Sequence, residues 1–279
     1  LSVIKKHSEN TINNYRIDLT SFLNFNDNVI SIDKNIVNKY MQHLYDKNVS
    51  MATISRKLSS LRSFYNYLYN NGIVDKNYFT SIKNPKKEKG LPKLVKEVDI
   101  DKMFDIPDLR NAFGQRNLLI IRMLYATGVR VSELVNITLS SINMSERTIR
   151  ILGKGDKERI VVFGNNTKEF LELYLNNGRY KLSKGNNDYL FLNKDGDRLS
   201  DRYVRNVIDD IIFKASIQMH VSPHMLRHTF ATGMLNNGAD LVSVKEMLGH
   251  ESLNTTSIYT HVSDDKIREI YNKAHPRAH

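Results

Sequence analysis

Ser222-Pro223-His224-Met225-Leu226-Arg227-His228-Thr229-Phe230 reads as the opening of a helix whose first turns carry chemistry. Ser222 is a favoured N-cap, because its hydroxyl can accept from a backbone N–H that the helix leaves unpaired. Pro223 suits the first helical position, where no N–H is required. Leu226, Phe230 and Met234 recur every four residues and supply a core stripe. His224 and Arg227 are three apart and share a face near the helix start. A helix start favours phosphate through its free N–H groups and its dipole, and an arginine can fork onto two phosphate oxygens. Alone, the pair describes many polar helix faces, so its meaning depends on what else the chain carries.

Working outward, Gly238 is expected to end this helix and Gly249 the next, which puts His250 beside a turn. Tyr259 follows nine residues later; alone, it would read as a half-buried aromatic with a bonded hydroxyl. Upstream, the apolar run from Leu118 to Tyr125 predicts a buried helix that stops at Gly128, with Arg130 and Glu133 just beyond. Arg130 can meet the same phosphate as Arg227. Glu133 either orients a basic neighbour or makes a structural salt bridge. Thr148 to Leu152 and Arg159 to Phe163 predict a β-hairpin around Gly153-Lys154-Gly155-Asp156-Lys157. Lys154 sits at its tip, where it can enter a DNA groove or simply be solvated. The Gly-Lys-Gly turn lacks the following Ser or Thr and the glycine spacing of a P-loop, so it does not indicate an ATP site. At the far end, Ser263 can cap a last helix, with Asp264 and Asp265 in its first turn. Its stripe of Ile267, Ile270, Tyr271 and Ala274 needs a surface to cover it, on its own domain or on a neighbouring protomer.

The N-terminal third is read as all-helical. Ile12, Tyr15, Leu19, Phe22 and Leu23 follow helical spacing, as do Ile36, Tyr40, Met41 and Leu44, and then Ile54, Leu58, Leu61, Tyr65 and Leu68. Arg56, Lys57 and Arg62 lie between the apolar positions of the third stripe and are taken as DNA contacts. Asn84 to Pro92, with two prolines, a glycine and a charge cluster, reads as a linker. Residues 1–91 hold 14 Lys and Arg against 7 Asp and Glu, whereas residues 92–279 hold 27 against 23. The smaller part therefore carries most of the formal net charge of +11, a balance suited to a polyanion. The 279 residues contain no cysteine, which excludes a disulfide framework, a thiolate metal site and a cysteine nucleophile. No apolar run is long enough for a membrane span, and the best candidate, Leu118 to Ala126, is broken by Arg122. The lack of cysteine fits a reducing cytoplasm, so a cytoplasmic protein is expected.

In order and spacing, Arg130, Lys154, His224, Arg227, His250 and Tyr259 resemble the tyrosine recombinase, or phage integrase, family, and most closely its Xer branch. Ala126 to Leu134, Gly153-Lys154-Gly155, His224 to Phe230, Leu248-Gly249-His250 and Tyr259-Thr260-His261 carry the resemblance. The ending His275-Pro276-Arg277-Ala278 and the first-helix residues Thr11, Tyr15, Asp18, Leu19 and Phe22 extend it over nearly the whole chain. It implies a multidomain fold, mostly α with a small β-sheet. An all-α SAM-like core-binding domain would occupy residues 1–83, a linker 84–92, and a mixed α/β catalytic domain 93–279, ending in a helix that docks on a neighbouring protomer. It also implies a C-shaped clamp on duplex DNA with inverted-repeat sites, a homotetramer or a heterotetramer with a paralogous recombinase, and a nucleoid-associated protein. Tyr259 would be the nucleophile of a 3′-phosphotyrosine intermediate, with no metal and no cofactor. Two other readings are a DNA-binding protein that has lost catalysis, which the filled six-residue set disfavours, and a monomeric type IB topoisomerase, which the helical N-terminal part and the Xer-like ending disfavour.

Overall fold

Asp18, on the inner face of the first helix, is fully buried, and the N-terminal unit is organised around it. The computed structural model describes residues 9–85, 93–153, 157–249 and 264–278, in two units, Leu1–Leu91 and Pro92–His279. The first unit comprises α1 (Glu9–Leu23), α2 (Lys34–Asp46) and α3 (Met51–Asn70), followed by a short 3-10 turn at Tyr78–Ser81. Asp33 and Ser50 cap α2 and α3 by accepting from the N–H groups of Ile36 and Thr53. Phe22, Tyr40, Leu44, Ile54, Leu58, Leu61, Tyr65 and Phe79 form the core. Leu23, counted above in the first stripe, is exposed, because that helix faces inward along Asp18 and Phe22.

The three cations expected on DNA have work inside this unit. Asp18 Oδ2 accepts from Arg56 Nη1 at 2.6 Å and from the Ser60 hydroxyl at 2.8 Å, and Lys57 Nζ lies 3.6 Å from Asp18 Oδ1. The Lys57 side chain is only 10% exposed, whereas that of Arg56 is 40% exposed. A buried carboxylate without such partners would be costly. Arg62 donates to the carbonyls of Phe79 and Ile82 and to Asn84 Oδ1, holding the segment after α3 against it. Substituting any of the three therefore removes an internal contact, whatever else the residue touches.

The second unit begins with α4 (Glu97–Asp105), α5 (Ala112–Thr127) and the short α6 (Val131–Leu134). A three-stranded antiparallel sheet follows in the order β1 (Ile142–Asn143), β2 (Thr148–Leu152), β3 (Glu158–Val162). The hairpin pairs Ile151 with Arg159 and Leu152 with Glu158, and Gly153 N–H donates to Lys157 O at 2.8 Å. The helices α7 (Asn165–Leu173), α8 (Tyr180–Leu182), α9 (Asp201–Lys214), α10 (Pro223–Asn236), α11 (Leu241–Leu248) and α12 (Asp264–Ala274) complete it. Among the described residues, no helix is long and apolar enough to cross a membrane.

Leu118, Leu119, Ile120, Ile121, Met123, Leu124 and Tyr125 are all buried, so α5 is the hub of the main core. The exception in that run, Arg122, lies between the rings of Phe104 and Phe170, 4.3 and 4.0 Å from their centroids, which offers a cation π-faces in place of water. A second cluster joins α10, α11 and α12 through Phe230, Met234, Val244, Met247, Leu248, Ile267 and Tyr271. Val161 belongs to the main cluster and Val162 to the second, as the alternation of a strand requires.

Within the single chain, Ile267, Tyr271 and Ala274 are buried against α10, α11 and β3. The cap proposed at Ser263 lies outside the described residues. Beyond α12, His275 stacks on Tyr271 at 4.8 Å, with Tyr125 and Phe230 packed around it. Its Nδ1 accepts from the Arg277 N–H at 3.0 Å. The Arg277 guanidinium pairs with Asp101 and Glu97 on α4. The tail is thus tied to the start of the unit.

Two measurements check these assignments. Burial, helped by the charge of Arg277, pushes the His275 imidazole down to about 4. A histidine depressed on folding contributes stability that is complete above its unfolded value, near 6.5, and declines as pH falls towards 4. His275→Phe is expected to flatten the pH dependence of stability between those values by up to about 3 kcal/mol, read by chemical denaturation across that range. An unaltered pH profile would place the proton elsewhere. Separately, Arg62→Ala is expected to destabilise the N-terminal unit by roughly 1–3 kcal/mol, because it strips a charged donor from part-buried carbonyls.

Candidate active site

Three arginines meet three consecutive carbonyls at the end of α11. Arg159 Nε donates to Met247 O at 2.9 Å, Arg227 Nη2 to Leu248 O at 2.5 Å, and Arg130 Nη2 to Gly249 O at a longer 3.4 Å. A helix C-terminus leaves its last carbonyls without intrahelical partners and carries partial negative charge, so it attracts cations. Gly249 ends the helix at φ 63°. A Cβ built there would come within 3.1–3.3 Å of the Arg159 side chain, so the arginine packs directly on that turn.

Arg227 is fixed from a second side. Its Nη1 donates to Gly128 O at 2.6 Å, at the left-handed turn that closes α5. Gly128 has φ 61°, and a Cβ there would lie 2.5 Å from the ring of Phe230. The expected stop signals, Gly128 and Gly249, therefore also present carbonyls to Arg227 and permit close approach. As expected, Ser222 caps α10 by accepting from the Met225 N–H, and Pro223 occupies its first turn. His224, three residues before Arg227, is exposed on that first turn, whereas Arg227 is 4% exposed. The two lie on one turn with very different access to solvent.

Glu133 settles the choice left open for it by doing both jobs. Its carboxylate accepts from the Arg130 N–H at 2.8 Å and from Arg130 Nη1 at 2.7 Å, and it receives Arg159 through Nη1 at 3.1 Å and Nη2 at 2.7 Å. Burial disfavours the ionised form, but the bonds from Arg159 and Arg130 outweigh it and hold the carboxyl below its ordinary range. Burial, then the charge of Arg130, brings Arg227 down to about 10, still cationic at neutral pH. Three guanidiniums thus gather around one carboxylate. The surplus of positive charge beside a helix end suits an anion such as a phosphodiester.

Of the six residues expected in the site, the structure brings Arg130 and Arg227 together and places His224 on the same helix turn as Arg227. Lys154, His250 and Tyr259 lie outside the described residues. The described residues that flank them, Gly153 and Gly249, are in place. Sequence reasoning missed Arg159. A signal existed: Arg159 pairs across the hairpin with buried Ile151, so it shares the inward face and needs a partner there.

Comparison with known proteins agrees with this architecture. The family model described as the phage integrase family matches residues 93–266, and the one described as the phage integrase N-terminal SAM-like domain matches residues 1–72. Tyrosine recombinase XerC of Oceanobacillus iheyensis is 43% identical, with all of this chain and 94% of that protein covered. Tyrosine recombinase XerC of Bacillus subtilis is 39% identical over the same shares. Among solved structures, XerH site-specific recombinase bound to a palindromic difH substrate, a post-cleavage complex, is 27% identical with a TM-score of 0.71, covering 94% of this chain and 79% of that one. The Tn1549 transposon integrase, 16% identical with a TM-score of 0.74 over 94% of this chain and 93% of that one, shares the fold. With both family models matched in order and relatives similar over the full length, this chain belongs to the phage integrase family and is a tyrosine recombinase.

Proposed function

We propose that this recombinase breaks a DNA strand with the hydroxyl of Tyr259 and is held on the scissile phosphate by Arg130 and Arg227. One observation carries the reading. Two arginines far apart in sequence are pinned to the carbonyls of Leu248 and Gly249, immediately before His250. Attack by the Tyr259 oxygen forms a tyrosine–phosphorus bond as the phosphorus–5′-oxygen bond breaks. That leaves a 3′-phosphotyrosine and a free 5′-hydroxyl. The guanidiniums offset charge on the non-bridging oxygens as the five-coordinate state forms. His224 takes the tyrosine proton, whose ordinary pKa is about 10, Lys154 gives a proton to the departing 5′-oxygen, and His250 hydrogen-bonds the phosphate. Attack by a second 5′-hydroxyl reverses the steps and reseals the strand. The covalent linkage conserves the phosphodiester energy, so no nucleotide fuel enters the balance.

The partner is duplex DNA with inverted-repeat sites, joined by a homotetramer or a heterotetramer with a paralogue. The Xer names of the most similar relatives favour resolution of chromosome or plasmid dimers over integration of a mobile element, and a place on the nucleoid in the cytoplasm. In the N-terminal unit, Arg56, Lys57 and Arg62 remain candidate DNA contacts, and Arg56 has a more exposed side chain than Lys57.

Footprinting on genomic fragments supplies the binding site, and supercoiled plasmids with and without paired copies of it test the activity. Recombination only of paired-site plasmids is expected. Relaxation of every plasmid would indicate a topoisomerase, and no change would indicate a binding protein.

A sulfur substitution tests the proton donor. An alkoxide is a poor leaving group, with even water near a pKa of about 15.7, whereas a thiol sits near about 8.5. Lys154→Ala is expected to form almost no covalent adduct with ordinary DNA, and to recover when sulfur replaces the bridging 5′-oxygen. Tyr259→Phe should recover on neither substrate, and Arg227→Ala should gain little. An equal defect of Lys154→Ala on both substrates would assign the proton to another group.

A further inference from the structure

We propose that Arg159 is a positioning residue for strand cleavage, setting the two guanidiniums that receive the scissile phosphate. The inference rests on the reading of Arg130 and Arg227 as that clamp. The Arg159 side chain is 10% exposed, so its donors are turned to the protein and not presented to DNA.

Its guanidinium is divided between two neighbours. Nη1 and Nη2 reach the two oxygens of Glu133, and Nε reaches Met247 O. The same two oxygens hold Arg130, one through its Nη1 and the other through its backbone N–H. Arg159 therefore fixes the carboxylate that fixes Arg130. Met247 O is the first of the three carbonyls at the end of α11, and the next two receive Arg227 and Arg130. Arg159 therefore also fixes the helix end against which both arginines are set, and its side chain packs on the Gly249 turn.

A planar fork is required for this role. Lysine keeps the charge, but its donors sit on one nitrogen and do not reproduce the spacing of Nε, Nη1 and Nη2 on a planar fork. With the fork gone, Glu133 and the end of α11 are tied to each other, among the described residues, only through Arg130 itself, whose bond to Gly249 O is the longer one at 3.4 Å. Small displacements of positioned groups are enough to slow chemistry greatly.

The test compares the full-length protein with Arg159→Lys on nicked duplexes that carry the footprinted site. One duplex has an ordinary scissile phosphate, and the other a methylphosphonate, in which a methyl replaces one charged non-bridging oxygen. Arg159→Lys is expected to bind the ordinary duplex within about threefold of the wild type and to form the covalent adduct about 100-fold more slowly. On the methylphosphonate, which presents less charge to neutralise, the gap between variant and wild type should shrink to about tenfold or less. Adding Glu133→Gln to Arg159→Lys should cost less than the sum of the two single defects, because the Arg159–Glu133 contact is common to both.

An equal gap on both duplexes, an unchanged rate, or loss of DNA binding and cooperative melting in Arg159→Lys would each overturn the inference and leave a purely structural or incidental residue. A wild-type protein that forms no adduct on the ordinary duplex would instead overturn the reading of the active site itself, and this inference with it.

Discussion

The carboxylate of Glu133 is the constraint on which the site depends. A carboxylate 6% exposed is unstable without cations, and arginines crowded together are unstable without an anion. Each makes the other tolerable. Because Arg130 and Arg159 come from different elements, α6's leading turn and β3, meeting at Glu133 fixes the hairpin against the turn after α5. The end of α11 completes the arrangement by offering carbonyls where α-helical bonding runs out. Charge and backbone geometry thus converge on one place, and the chemistry proposed there uses the surplus.

The N-terminal unit solves a related problem with a different outcome. Asp18 collects Arg56, Lys57 and Ser60 within a helical core. There Arg56 and Lys57 neutralise one buried carboxylate, and Arg62 donates to main-chain carbonyls. A basic residue on a helix next to an apolar stripe can be a partner for polyanions or a counter-ion for an interior acid. Only the location of the acid distinguishes the two, and Asp18 lies 38 residues from Arg56 in sequence.

That separation explains which parts were legible in the sequence. Local signals were reliable where the physics is local. The Ser222 cap, the proline after it, the left-handed glycines at 128 and 249, the hairpin around Gly153 and the buried run of α5 each follow from spacing and residue type. Arg130 and Arg227 were legible as a pair through the family resemblance, and the meeting at the end of α11 gives them a physical setting. Arg159 was not, because its meaning depends on Glu133, 26 residues away, and Met247, 88 residues away. The apolar stripe of α12 was legible, but not its destination. Periodicity says that a face must be covered, and only tertiary packing says by what.

The bond between the tail and α4 joins residues 176 and 180 positions apart. On a ribosome adding about 5–20 residues each second, α4 waits on the order of ten seconds or more for Arg277. The His275 ring packs on Tyr125 of α5 and Phe230 of α10, so the segment after α12 closes over elements made long before it. The contacts that join α4 to that segment are therefore among the last this unit can form as the chain is made.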